Sequence, residues 1–457
     1  MAEGPGRRTL LIGHGPLPSP SCTQSTFGPQ RTAAFAQALR AAGHDLRVVL
    51  VEDDAQQVIP VPSPAAEPWG HTLRIGRSAA TRGGGGARLW DGPGPSLVIS
   101  AGPFAPGALA AAVRGEAPWL ADLPGDPFAE LQAAEAAQGG PLDPEAAAAA
   151  RAIAARVLSE ADHLFVISEA QRLAAAGQLG LLGRLPASGA LVPIDVIPIT
   201  YPEGTPPTPP PRAPGEPLRL MLGGALNGWQ DLGAALGGLG RLLDQGAPIE
   251  VHITGGDGGA HAPAQAQRLQ RWLADRARDP RVHAHGWLTE AALRQLAARC
   301  HAGLSVDGPG LEPELGSRTR ALTWTFAGQA LISTARCELL REISAADGMI
   351  TITTNEEAAV AQAIAAALAA PRLAPMVERA RALLSRVAAP ERALLPLIRS
   401  AGAPQRRPPS HAPWAELSAR LAAAEAELAA VHQSWTWRAL SGPHAALRGW
   451  LGRRPGR

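Results

Sequence analysis

Short apolar runs alternate along this chain with Ala- and Leu-rich stretches of helical period. Strands that alternate with helices build parallel sheets covered on both faces. In the first half RTLLIG (8–13), LRVVLV (46–51), SLVIS (96–100), APWLAD (117–122), HLFVIS (163–168) and IDVIPIT (194–200) read as strands. Helices are predicted over 32–45, closed by Gly43, and over 143–160. The run YPEGTPPTPPPRAPGEP (201–217) holds too much proline for a helix or a central strand and reads as a stiff, extended linker. A second set follows: LRLMLGG (218–224), IEVHITGG (249–256), RVHAHGWL (281–288), AGLSVD (302–307), QALISTA (329–335) and GMITITT (348–354), then a helix over 376–399. The pattern predicts an α/β protein with one parallel-sheet domain over 1–200 and another over 218–400.

A second proline-rich break, 401–413, sets off a tail, 414–457. In the tail Trp414, Leu417, Leu421, Ala424, Leu428, Val431 and Trp435 recur at steps of three and four, the seam spacing of paired helices. A helix over 414–433 would be about 30 Å long. It reads either as a coiled-coil surface for self-association or as a helix packed back on the body. Beyond Glu427 there are no acids, and Arg438, Arg448, Arg453, Arg454 and Arg457 accompany Trp435, Trp437 and Trp450, a mixture suited to an anionic membrane surface.

Composition narrows the function classes. All 42 basic residues are Arg, and with 40 acids the net charge is +2, the two signs interspersed, so the clustered cations of a nucleic-acid footprint are missing. Cys22, Cys300 and Cys337 are odd in number and lack C-x-x-C spacing, which argues against a disulfide framework and a zinc knuckle. The apolar run near the N-terminus is short for a signal peptide, and no stretch reaches the roughly 18 apolar residues of a spanning helix. A cytoplasmic protein is expected, at most peripheral on the inner membrane face. The twelve histidines are scattered, and His14, His283 and His285, near strand ends, read as structural or solvent-facing rather than catalytic.

In open α/β sheets ligands lie beyond the carboxyl ends of the strands. Three segments there carry chemistry. The glycine-rich loop 13–31, with Gly15, Gly28 and Arg31, leads into a helix whose free N–H groups suit a phosphate or an acceptor. In Asp122-Leu-Pro-Gly-Asp126, Asp126 either caps the next helix, the favoured reading, or binds sugar hydroxyls. The segment 308–334 gathers Glu312, Glu314, Ser317, Arg318, Thr319 and Arg320 at a helix start. Charges of that density pair with one another or with a ligand, and Arg forks match a diphosphate.

At these residues the chain resembles the group 1, or family 4, retaining glycosyltransferases. The matching elements are Glu314, the helix 318–327, Ala327-Gly328 and the strand ALIST, flanked by GGALNGWQD (223–231), ITGG (253–256), the run Val282 to Leu288 and FVISEAQR (165–172). The end of the chain, SWTWRALSG, resembles the S-x-T-W-R endings of bacterial cell-surface polysaccharide glycosyltransferases. The resemblance implies the GT-B fold, two Rossmann-like domains facing across a cleft, here with a C-terminal helical tail. It also implies transfer from a nucleoside diphosphate sugar with retention, without a required metal or other cofactor, to a glycan or lipid-linked acceptor.

Carried onto this sequence, it implies a catalytic role for Glu314, and Asp126 is expected to join it from the loop after APWLAD. Donor contacts would come from Gly223, Gly224, Asn227, Gly286, Trp287, Leu288, Glu312, Ser317, Arg318, Arg320 and Thr323, and the acceptor side from Gly15, Gly28 and Arg31. Two departures stand out. Thr323 occupies the place of the family's second acid, and GGALNGWQD lacks the family's Arg and Lys, so Arg318 and Arg320 are expected to neutralise the diphosphate. These departures leave open a catalytically silent scaffold whose tail recruits partners.

Overall fold

The computed structural model describes residues 7–18, 27–52, 59–60, 71–83, 89, 93–138, 140–185, 194–200, 207–208, 211–256, 262–370, 372–404, 427 and 430. The tail helix and basic end expected over 414–457 lie outside the described residues, apart from Glu427 and Ala430.

The first sheet contains β1 (Arg8–His14), β2 (Asp45–Glu52), β3 (Ile59–Pro60), β4 (His71–Gly76), β5 (Leu97–Ala101), β6 (Trp119–Leu123), β7 (His163–Val166) and β8 (Ile194–Val196). Their order is β3-β4-β2-β1-β5-β6-β7-β8, parallel except for β3 on β4. The second contains β9 (Leu218–Leu222), β10 (Ile249–Thr254), β11 (Val282–Gly286), β12 (Ala302–Ser305), β13 (Ala330–Thr334) and β14 (Met349–Ile352). Its order, β11-β10-β9-β12-β13-β14, reverses direction between β9 and β12, the topological switch point where Rossmann-type sheets take ligands. Two such domains make this a GT-B fold.

Strand alternation sorts the cores. In β1, Leu10 and Ile12 join Leu109 and Val157 on one face, while Leu11 joins Phe35 and Leu39 on the other. In β9, Leu218, Leu220 and Leu222 pack with Leu236, Leu239 and Ile364, and Met221 faces Leu296 and Trp324. Gly303 of β12 lies under Trp324, whose ring a Cβ would meet at 2.1 Å.

The structure corrects the sequence reading in several places. β3 and β4 were not expected: His71, Thr72 and Arg74 interrupt the apolar run of β4, yet Thr72 and Ile75 are buried. The first helix spans Phe27–Ala41 and not 32–45, because Pro29 fits a first turn, where a missing N–H costs nothing. The closing helix splits into Ala374–Val387, Pro390–Ala393 and Leu395–Gly402, broken ahead of Pro390, which has no N–H to continue the ladder. Its last part returns to the first domain: Leu394, Leu397 and Ala401 share a core with Phe35 and Leu39, and Arg7 donates to the Ala401 carbonyl at 3.1 Å. Among the described residues no single helix is long and apolar enough to cross a membrane.

Candidate functional site

The loops that leave β9, β10 and β11 lie against one another with almost no side chains between them. Gly224 (φ 97°) and Gly255 (φ 80°) adopt left-handed conformations, and the Gly255 N–H donates to the Gly286 carbonyl at 2.8 Å. A Cβ on Gly255 would meet the Gly224 carbonyl oxygen at 2.3 Å, and one on Gly223 the Thr254 hydroxyl at 2.2 Å. Gly286 also has positive φ (61°), and the Trp287 indole N–H borders Gly256. Leu288 packs beneath, at the edge of the core around Leu296. Bare backbone of this kind lets a ligand approach closely.

The β9 loop is held in place from both sides. Gln230 N donates to the Asn227 carbonyl at 3.2 Å, and the loop bridges to Asp307. Asp231 caps the helix Leu232–Asp244 and receives the Asn355 amide at 3.0 Å, which also donates to the Asp307 carbonyl. Gly228 abuts the first-domain helix Pro127–Gln138, where a Cβ would meet the Ala133 carbonyl at 2.6 Å. Two polar contacts also join the domains: the Ser168 hydroxyl donates to the Leu315 carbonyl at 2.7 Å, and the Glu338 carboxylate accepts from the N–H groups of Glu169 and Ala170.

The charges of 312–320 divide into three groups. Arg318 is buried between Asp307, which its Nε reaches at 2.8 Å, and Glu312, which its Nη2 reaches at 3.0 Å. Burial disfavours its charge, but Asp307 and Glu312 outweigh that and hold its pKa above the ordinary guanidinium value. Arg318 is therefore neutralised inside the domain, contrary to the expectation that it meets a diphosphate. Glu314 turns outward, 45% exposed, onto Arg341 at 3.0 Å and Arg336, and is not aimed at the glycine loops. Ser317 gives its carbonyl to Arg318, and the Thr323 hydroxyl donates to the Thr319 carbonyl one helical turn back.

Arg320 differs from its neighbours. Its guanidinium lies beside Gly224, donates to the Ala225 carbonyl at 2.9 Å, and meets the Gln230 carboxamide, whose oxygen accepts when turned towards it. Among the described residues it has no carboxylate partner. Burial pushes its pKa down to about 10, and Asp307 and Glu312 offset this only in part. A cation in this state favours an incoming anion.

On the first-domain rim the Arg31 fork is engaged internally. It makes a two-point ion pair with buried Asp122 (3.0 and 2.6 Å), donates to the Pro198 carbonyl at 2.9 Å and stacks on Phe35. Asp126 is an N-cap: one oxygen accepts from the N–H groups of Phe128 and Ala129, the other from Gln178. The structure thus favours structural roles for Arg31 and Asp126 over acceptor and catalytic ones. Gly15 N donates to the Val51 carbonyl, and Gly28 lies under His14.

The sequence reading missed Glu130. It lies on the helix capped by Asp126, its N–H bonded to the Asp126 carbonyl and its carboxyl facing the charges of Glu312 and Asp126, with no hydrogen-bond or ion-pair partner for that carboxyl among the described residues. Burial, then Glu312 and Asp126, push its pKa up to about 8. Its spacing from Asp126 gave no signal, because its partner acid comes from the other domain. The histidine reading is also corrected: Glu250, His252, His283 and His285 come together on β10 and β11.

Comparison with known proteins agrees with this architecture. Residues 28–193 match the family described as Glycosyl transferase 4-like domain. No curated protein sequence matches the chain. Among solved structures, sucrose-phosphate synthase from Thermosynechococcus elongatus has a TM-score of 0.58 at 14% identity, covering 87% of this chain and 100% of that one. A trehalose-6-phosphate structure from E. coli, bound with UDP-2-fluoro glucose, has a TM-score of 0.60 at 12% identity, covering 88% and 100%. The α,α-trehalose 6-phosphate synthase from Burkholderia multivorans has a TM-score of 0.60 at 13% identity, covering 87% and 97%. At such identities the likeness is one of fold.

Proposed function

We propose that this chain is a glycosyltransferase that moves a sugar from a nucleoside diphosphate donor to a glycan or lipid-linked acceptor, with retention, in cell-surface polysaccharide assembly on the cytoplasmic face of a membrane. The observation that carries the reading is Arg320, a cation without a carboxylate partner among the described residues, held against the left-handed Gly224 turn at the switch point of the second sheet. The family match over 28–193 supports it, as does the structural neighbour bound with a fluorinated UDP-glucose.

In this account the donor diphosphate lies over Gly223, Gly224 and the Gly255–Gly256 backbone, with Arg320 stabilising the charge that develops on the leaving group. Preorganised charge of this kind is usually the largest catalytic contribution. Trp287 and Leu288 border the base, and Asn227 and Ser317 flank the donor. Glu312 and Arg318 shape the site from within. Glu130, which faces Glu312 from the other domain and whose pKa is pushed up to about 8, takes the acceptor hydroxyl's proton in its ionised form.

A second reading, a catalytically silent scaffold, draws on Glu314 turned outward and Thr323 bonded to its own helix. Release of nucleoside diphosphate from a panel of donors, with and without glycan and lipid-linked acceptors, separates the two. Acceptor-dependent release, with the product anomer read by NMR, is the expected result. Donor binding without release, or no binding at all, would favour the scaffold.

A further inference from the structure

Parallel strands in register place alternate side chains of neighbouring strands on one face. In β10, Ile249, Val251 and Ile253 enter the core, so Glu250 and His252 point to the opposite face. His252 is paired in register with His283 of β11, and His285 lies two residues further on. The Glu250 carboxylate meets His252 Nε2 at 3.2 Å and His283 Nε2 at 2.9 Å through the same oxygen, and His252 Nδ1 lies 3.1 Å from His285 Nε2. The imidazoles of His252 and His283 stack with centroids 4.8 Å apart. One ligand atom from each of Glu250, His252 and His283 lies within 4.8 Å of the others.

We infer that Glu250, His252 and His283 form a binding site for a divalent transition-metal ion of the zinc class, oriented by His285. Imidazole nitrogens and a carboxylate oxygen are the ligands such ions take. Bonds of about 2.0–2.2 Å in tetrahedral array set neighbouring ligand atoms about 3.3 Å apart, close to the 3.2 and 2.9 Å from the Glu250 oxygen to the two imidazole nitrogens. A metal-bound imidazole passes its other ring proton to an outer partner, and His285 Nε2 stands where His252 Nδ1 needs that acceptor. Three protein ligands leave a fourth position for water or a ligand group.

The surroundings admit this chemistry. Arg219, opposite Glu250 in register, is engaged by Glu216 and His301. Arg299 brings a positive charge near His252 and His285, and its side chain is exposed and displaceable. The site joins an edge strand to its neighbour directly before Gly286, Trp287 and Leu288. A bound ion would therefore fix the stem of that loop whether or not the cleft is a glycosyltransferase site.

Titration of the purified full-length protein with Co²⁺ and Zn²⁺ tests the inference. One Co²⁺ per chain is expected, with the visible absorption of a four-coordinate ion, displaced by one equivalent of Zn²⁺. Glu250→Gln and His283→Ala should each weaken binding by more than tenfold, and His285→Ala by about tenfold. His71→Ala, at an exposed histidine on β4, should leave binding unchanged. Glu250→Gln is nearly isosteric and serves if His283→Ala does not fold. Absence of Co²⁺ and Zn²⁺ binding by the parent protein, or equal binding by parent and Glu250→Gln, would overturn it.

Discussion

On the rim of the first sheet, Arg31 is locked to Asp122 and Asp126 to the helix it caps, whereas on the second Arg320 reaches, among the described residues, only a carbonyl and a carboxamide. Arg318, two residues away, behaves like Arg31, enclosed by Asp307 and Glu312. Arginine beside acids in sequence is therefore no guide to ligand binding. What matters is whether the fold has already provided a carboxylate. Where it has, the pair holds the architecture together. Where it has not, the charge remains for a ligand.

The largest effect that would break this contrast is at Arg318. Arg318→Ala leaves Asp307 and Glu312 buried without a partner, and urea unfolding should show a loss of about 3–5 kcal/mol. A loss below about 1 kcal/mol would mean that Arg318 is not the internal partner described. Next comes Gly255→Ala, which forces a left-handed residue and a Cβ against the Gly224 carbonyl. It should cost about 1–3 kcal/mol by the same measurement.

The third prediction concerns pH. Glu130 has its folded pKa raised to about 8, so the fold holds that proton more tightly than the unfolded chain does. Its contribution to stability is complete below the unfolded value near 4.5 and is lost as pH rises through about 8. Glu130→Gln should flatten the fall in stability between those limits, and an unchanged slope would place the titration elsewhere. The smallest effect is expected at Arg320. Because burial opposes its charge, Arg320→Met should leave the unfolding free energy within about 0.5 kcal/mol of the parent or raise it. A large loss would put Arg320 in the same class as Arg318.

The second sheet was readable strand by strand, since LRLML, IEVHIT and ALIST are short β-type runs whose core-facing positions are apolar, with Arg219, Glu250 and His252 on the other face. β4 was not, because an outer strand tolerates His71 and Arg74. The segment 308–334 was found from its charge density, but the charges within it could not be told apart. Glu312 and Glu314 are two residues apart in the short helix Leu311–Leu315, and only the fold shows one turned in and the other out. Asp307 illustrates the same limit: a sequence motif specifies which residues are near in the chain, while this partner of Arg318 lies eleven positions back, two residues beyond β12. The histidine cluster had a readable signal, E-x-H in β10 and H-x-H in β11. It acquires meaning only once those strands are paired.

The central claim, that the cleft is a nucleoside diphosphate sugar site in which Arg320 holds the anion, is tested most directly by calorimetric titration of the parent and Arg320→Ala proteins with UDP, GDP and their sugars. At least one ligand should bind the parent. Arg320→Ala should weaken it by tenfold or more, as expected for a charged hydrogen bond of about 1.5–3 kcal/mol. Equal affinity in the two proteins, or no binding to the parent, would contradict the account.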